Sequence, residues 1–193
     1  YIQCGLFLRD IGKGNLGESW NTRNDVVEDL WIRLPATVEL ITLTAILGAV
    51  LAIFLGVFAA VRRHTLVDHF SRIVALIGIS LPNFWLGLIF IFYLSVYAGW
   101  FPAPLGRIGI EVDPPRNITG LYILDSILTF NGSALKSSIW HMILPVFSLV
   151  FLVMGPMIFI TRSAVIESLT SDYVTYARAS GLSKGRVRLY ALR

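Results

Sequence analysis

"LITLTAILGAVLAIFLGVFAAV", residues Leu40 to Val61, carries no charged side chain. A helix needs about 20 apolar residues to cross the hydrocarbon core of a bilayer. Leu, Ile, Val, Phe, Ala and Gly occur all round this stretch, so no polar face is left for water. Backbone in lipid must satisfy its own hydrogen bonds, which makes the stretch a membrane-spanning helix. Two more uncharged stretches read the same way, Ile73 to about Tyr97 and about Ile139 to Thr161. With their flanks, the three predicted spans cover residues 36–61, 73–98 and 139–161.

Composition agrees. Of 193 residues, 55% are hydrophobic and 15% charged, and the mean hydropathy is +0.71. A soluble domain carries about 25% charged residues, so that class is excluded. The fold class is an all-α membrane protein, a polytopic helical bundle. One cysteine, Cys4, excludes an internal disulfide and a cysteine metal site, and reads as a small semi-buried residue. The chain starts at Tyr1 with no signal peptide in view, and Leu189 to Arg193 run on in helical fashion. A fragment open at both ends is expected.

The connections differ in kind. Residues 62–72, "RRHTLVDHFSR", form a tight link, whereas residues 98–138 are rich in Pro, Gly and Asn. Within the long link, "LYILDSILTF" is too short to span and reads as an interfacial helix or packed loop segment. Lys and Arg placement sets orientation. The short link and the tail from Arg162 carry the excess of cations, among them Arg62, Arg63, Arg72, Arg162, Arg178, Lys184, Arg186, Arg188 and Arg193. These segments are predicted to face the cytoplasm, and residues 1–35 and 99–138 to face outward. The net charge of +4 is thus spent on topology and lipid contact, not on nucleic acid. An outward N-terminal segment implies a preceding span before Tyr1. Asn117-Ile-Thr119 and Asn131-Gly-Ser133 fit the glycosylation triplet, which is common by chance.

Several residues are candidates for function. Glu39 is either a functional acid of the first span or a headgroup-depth acid near the positive helix end and Arg33, with Pro35 in the first turn. "GISLPNFWLG", Gly78 to Gly87, breaks the second span. There Pro82 kinks the helix while Ser80, Asn83 and Trp85 either glue helices together or line a solute path. His141 and Pro145 open the third span and Gly155-Pro156 interrupts it. No paired carboxylates, no nucleophile with its base and no phosphate-cradling loop can be assembled, so no enzyme active site and no metal site is expected.

The last stretch is "DYVTYARASGLSKGRVR", Asp172 to Arg188. Asp172 suits an N-cap and Gly181 a C-terminal stop. Val165, Ile166, Leu169, Tyr173, Tyr176 and Ala177 recur on one helical face. The helix between the caps, about 12 Å long, is too short to span. It would expose an Ala177-Arg178-Ala179 face, to a groove on a partner or to anionic lipid.

"DYVTYARASGLSKGRVRLYALR", with "GNLGESW" (Gly14 to Trp20), "RLPATVEL" (Arg33 to Leu40) and "SLPNFWLG" (Ser80 to Gly87), resembles the permease subunits of ABC importers of the dipeptide, oligopeptide and nickel branch. The likeness covers nearly the whole chain in order. It implies a type I importer transmembrane domain of six spans, of which this chain supplies the second to fourth, in the inner (cytoplasmic) membrane. Asp172, Tyr173, Thr175, Tyr176, Ala177, Arg178, Ala179 and Gly181 would form the coupling helix. This helix would seat in a separate ATP-binding subunit that holds ATP and magnesium, with no cofactor on this chain. The family's Glu-Ala-Ala motif is altered here, with Thr175 and Tyr176 in place of its first two residues. Further partners implied are a second homologous permease subunit and an extracytoplasmic solute-binding protein. The implied mechanism is ATP-driven alternating access; peptide, nickel chelate and sugar all remain open as cargo. An ion-coupled carrier using Glu39, or a membrane scaffold with a partner-docking tail, are the other readings.

Overall fold

The computed structural model describes residues 2–181 and 185–187. The predicted cytoplasmic cations Lys184, Arg188 and Arg193 lie outside them, as do the side chains of Tyr173 and Arg178. Among the described residues the α-helices named by their bounds are α1 (Ile2–Gly12), α2 (Val26–Val61), α3 (Leu66–Ser80), α4 (Asn83–Phe90), α5 (Tyr122–Leu128), α6 (Gly132–Thr170) and α7 (Asp172–Ala179). A π-helical segment, Ile91–Tyr97, continues α4. Among the described residues extended pairing is confined to one isolated bridge, Glu18 to Asp25.

Both long helices outrun their apolar stretches. α2 has 36 residues and α6 has 39, about 54 and 58 Å at 1.5 Å per residue, against a hydrocarbon core of about 30 Å. The expected helix starts are therefore corrected. Pro35 is not in the first turn but nine residues inside α2, and Pro145 lies well inside α6. Pro156 does not interrupt α6, which runs through it. Each proline deletes one backbone hydrogen bond, which a long, packed helix tolerates. Cys4, expected to be semi-buried, is exposed on α1.

The second predicted span is not one kinked helix. α3 and the α4–π segment meet at an angle of 107°. Leu81 (φ −88°, ψ 134°) and Pro82 (φ −60°, ψ 128°) are both extended. A residue before proline is pushed out of the helical region, so the elbow takes two residues where a kink would cost one hydrogen bond. The Pro82 carbonyl then accepts from the amides of Trp85 (3.0 Å) and Leu86 (3.2 Å), starting α4.

The chain divides into two compact bodies. One comprises Tyr1–Ile41 and Arg107–Ile139. It holds α1, the polar start of α2 and α5, the last formed by the "LYILDSILTF" patch.

The other body comprises Thr42–Gly106 and Trp140–Arg193. Its packing rests on small residues, as membrane helices require when lipid is as apolar as leucine. On α2, Gly48, Ala52, Gly56 and Ala60 recur every fourth residue toward α6. A methyl added at Gly56 would stand 2.7 Å from the Thr161 Cβ. α3 and α6 meet through Gly78 and Gly155: a methyl at Gly155 would stand 2.9 Å from the Ala75 carbonyl oxygen, and one at Gly78 would overlap the Phe151 carbonyl. Phe90 of α4 packs against Phe147 and Phe151 of α6, with ring centres 5.4 and 6.0 Å apart.

Candidate functional site

Three places concentrate polar chemistry. The first is the Arg-rich end of the second body. The link between α2 and α3 turns at His64 (φ +63°), a left-handed conformation that few side chains adopt. This turn brings Asp68, in the first turn of α3, fully out of solvent. Its carboxylate accepts a two-pronged pair from Arg162 of α6, Nε to Oδ1 at 2.7 Å and Nη2 to Oδ2 at 3.0 Å. The His64 backbone amide donates to Oδ2 at 3.1 Å. Arg72, one turn along α3, stands 3.7 Å away with its Nε toward Oδ1. Ser71 is also buried, donating to the Val67 carbonyl at 2.9 Å.

α7 follows α6 after Ser171. Asp172 is not the cap residue but opens the first turn, where its charge suits the positive helix end. The cap position belongs to Ser171, whose carbonyl accepts from the Thr175 amide at 3.1 Å. The Ser171 hydroxyl is spent on the Ser168 carbonyl at 2.6 Å. At the other end the Ser180 amide reaches the Tyr176 carbonyl at 2.9 Å, and Gly181 takes φ +82°, where the missing Cβ removes the strain.

The expected apolar face of α7 holds at Ala177 and fails at Tyr176. Ala177 is buried with Val174, while Tyr176 is 77% exposed. Val174 and Val187 form a small core with Leu169 packed on it. Asp172, Thr175, Tyr176 and Ala179 share the exposed side, spaced three and four apart as one helical stripe. Of the predicted Ala177-Arg178-Ala179 surface, Ala179 is exposed and Ala177 is not, and the exposed stripe is centred on Tyr176.

The elbow is the second place. Ser80 and Pro82 are exposed, and Trp85 is half-exposed at 46%. Asn83 is partly buried, and its Oδ1 has no hydrogen-bond partner. These four candidates sit together at one chain break in the second body. Glu39 belongs to the first body.

Glu39 anchors the third place. It is 5% exposed, and its partners are not Arg33 but residues of the long link. Its Oε1 accepts from the Ile123 amide at 2.7 Å, and Oε2 lies 3.5 Å from Arg107 Nη1. The same Arg107 nitrogen donates to the Gly120 carbonyl at 2.8 Å, and the guanidinium lies over the Tyr122 ring at 3.6 Å. Beside them Asp125 is 1% exposed and collects the amides of Ile118, Thr119 and Gly120 with the Thr119 hydroxyl. The long link is therefore a wired structure here.

Burial pushes the Asp125 carboxyl up, but the Thr119 hydroxyl and the three amides outweigh it and hold the group below the ordinary 3.8. The unfolded chain then binds the proton at a higher pH than the folded one. Stability from this group is full above 3.8 and is lost as pH falls through the lower folded value. Hydrogen exchange of the 118–120 amides is expected to stay slow at pH 4 and to quicken only as pH falls below the ordinary 3.8. Quickening already complete at pH 4 would contradict this wiring.

Sequence reasoning missed the Asp68–Arg162 pair and the Arg107 partner of Glu39. A signal existed for the first: Asp68 is the one acid in a link of three arginines, and Arg162 directly follows an uncharged stretch. No metal-binding cluster of His, Cys, Asp or Glu occurs among the described residues.

Comparison with known proteins agrees with this architecture. Residues 52–193 match the family described as "Binding-protein-dependent transport system inner membrane component". The chain is 41% identical over 186 residues to the probable D,D-dipeptide transport system permease protein DdpB of Escherichia coli (strain K12), covering 94% of this chain and 53% of that protein. It is 34% identical over 188 residues to the oligopeptide transport system permease protein AppB of Bacillus subtilis (strain 168), covering 97% and 53%. A third relative, the dipeptide transport system permease protein DppB of Alkalihalophilus pseudofirmus, is 34% identical over 187 residues, covering 97% and 56%. The chain spans about half the length of the curated relatives it matches. A family match over most of the chain, on helices built for lipid, leads to one conclusion: this protein belongs to the inner membrane components of binding-protein-dependent transport systems.

Proposed function

We propose that the chain forms part of the translocation pathway of an ATP-driven peptide importer, with Asp172–Gly181 as its coupling helix on the cytoplasmic side. The observation that carries this reading is α7 itself. It is a single short helix with a glycine stop, tied to the end of a 39-residue helix and presenting an exposed stripe centred on Tyr176. An eight-residue helix has little stability of its own in water, and the Val174–Val187–Leu169 contact under it is small, so its exposed side is open to a further seat. That seat is a cleft on a separate ATP-binding subunit, which holds the ATP and magnesium and performs the hydrolysis. A second permease subunit completes the pathway, and an extracytoplasmic binding protein delivers the peptide. Peptide is favoured as cargo because these relatives are dipeptide and oligopeptide permeases. The elbow residues Ser80, Pro82, Asn83 and Trp85 are the pathway candidates of this chain.

The carrier reading needs an acid free to trade a proton or ion, whereas Glu39 Oε1 accepts from the Ile123 amide and Oε2, without a hydrogen bond, is ion-paired with Arg107 at 3.5 Å.

The burial pattern selects the test. Ala177→Asp would place a charge inside the loop's own core, and Gly181→Asp would strain the backbone at φ +82°. Either variant breaks the loop whether or not it docks. Tyr176→Asp alters an exposed position. With the full permease in its complex, it is expected to lower ATP-dependent uptake of labelled dipeptide by about a hundredfold, as loss of an interface hot spot does. Recovery of the ATP-binding subunit should fall in parallel. Parental uptake and recovery in Tyr176→Asp would refute the docking role, and uptake driven by a proton gradient without ATP would refute the importer.

A further inference from the structure

Asp68 faces two guanidiniums, but it bonds only one. Arg162 satisfies both carboxylate oxygens across the α3–α6 contact. Arg72, on the same helix as Asp68 and four residues along, directs Nε at Oδ1 from 3.7 Å, beyond bonding distance. That Nε is buried and has no hydrogen-bond partner. Its side chain is otherwise 38% exposed and held through Nη2 at 3.2 Å from His69 Nδ1. A buried donor left unmade is costly unless another arrangement of the site uses it.

The use is evident from position. Arg162 stands on the last turns of α6, ten residues before Asp172, so anything that moves α7 moves Arg162. Asp68 stands on α3 directly after the tight link to α2. Separation of α6 from α3 would strand a buried carboxylate, which is the expensive way to break such a pair. Arg72 removes that cost, because a shift of under an ångström brings its Nε to the oxygen it already faces.

We propose that Asp68, Arg162 and Arg72 form an exchange latch. In the arrangement described here Asp68 locks α3 to α6 through Arg162. When the ATP-binding subunits displace α7, Asp68 passes to Arg72, and α3 is released from α6 with the buried carboxylate still paired and the partly exposed Arg162 guanidinium turned to solvent. Arg72 is a positioning residue of the transport cycle and touches no cargo. This rests on the importer reading given above.

The test uses the full permease assembled with its ATP-binding subunits in proteoliposomes. Spin labels are placed at the exposed positions Leu66→Cys and Ser163→Cys in a Cys4→Ser background. In the parent, ATP is expected to lengthen the distance between labels. Arg72→Gln leaves the resting pair intact, so the nucleotide-free distance should match the parent. Its ATP-bound population should shrink, and peptide uptake should fall about tenfold, within the range of a coupling contact. Arg72→Lys, which keeps the charge, should recover part of the loss.

A parent that takes up peptide with ATP while the label distance stays fixed would overturn the latch and leave the importer standing. So would an Arg72→Gln uptake within about twofold of the parent. Arg72→Lys as poor as Arg72→Gln would overturn the charge exchange. A parent with no ATP-driven uptake would overturn both readings.

Discussion

Gly78→Ala is expected to prevent stable packing of α3 on α6. The added methyl overlaps the Phe151 carbonyl, which is backbone inside a continuous helix and cannot swing aside. Overpacking of a core costs about 1–3 kcal/mol where side chains can give way. Here whole helices must part, taking with them the Gly155–Ala75 contact, so the loss should reach at least about 3 kcal/mol, the top of that range. Gly87→Ala is the matched control. Its methyl would meet Ser148 at 3.9 Å, ordinary contact, and alanine is the better helix former by about 1 kcal/mol. Thermal unfolding of the full permease in detergent should separate the two, with Gly78→Ala far below the parent and Gly87→Ala at or above it. Equal melting of both variants would mean that α3 and α6 do not approach so closely.

Asp68→Ala is expected to be the most damaging single change at the Arg-rich end. It leaves the Arg162 guanidinium, whose side chain is 19% exposed, without its two-pronged partner. Breaking a buried pair from one side costs about 3–5 kcal/mol, and the residual exposure of Arg162 places this case near the lower figure. Removing both charges with apolar replacements, Asp68→Leu with Arg162→Met, should recover most of the loss, because the pair's own desolvation disappears with it. A double-mutant cycle on unfolding midpoints measures this directly. A coupling of less than about 0.5 kcal/mol, the level of independent sites, would show that the two residues do not act as a pair.

The parts of this fold legible in the sequence are those set by local chemistry. Two of the uncharged runs announce helices long and apolar enough to cross a membrane, and Gly181 announces the end of α7, because each depends on residues adjacent in the chain. Helix length was not legible. The extensions of α2 back to Val26 and of α6 back to Gly132 and on to Thr170 are mixed polar stretches, where no apolar run marks the helix. The buried face of α7 was misjudged because apolar spacing put Tyr176 and Ala177 together. Packing separates them, burying the smaller residue with Val174. Partners far apart in sequence were the hardest. Asp68 and Arg162 are 94 residues apart, Glu39 and Ile123 are 84 apart, and no local pattern links them. The proline of "SLPNFWLG" was visible, but not that Leu81 would leave the helix with it.

That elbow constrains its surroundings. Where a helix stops and another begins, the last carbonyls of α3 and the first amides of α4 have no partner within their own helices. Acyl chains offer neither donor nor acceptor, so a bilayer cannot wet such a spot. Ser80 and Pro82 nonetheless lie open on this chain. The side of the molecule that bears residues 80–83 is therefore barred from facing hydrocarbon, and belongs against other polypeptide or a column of water.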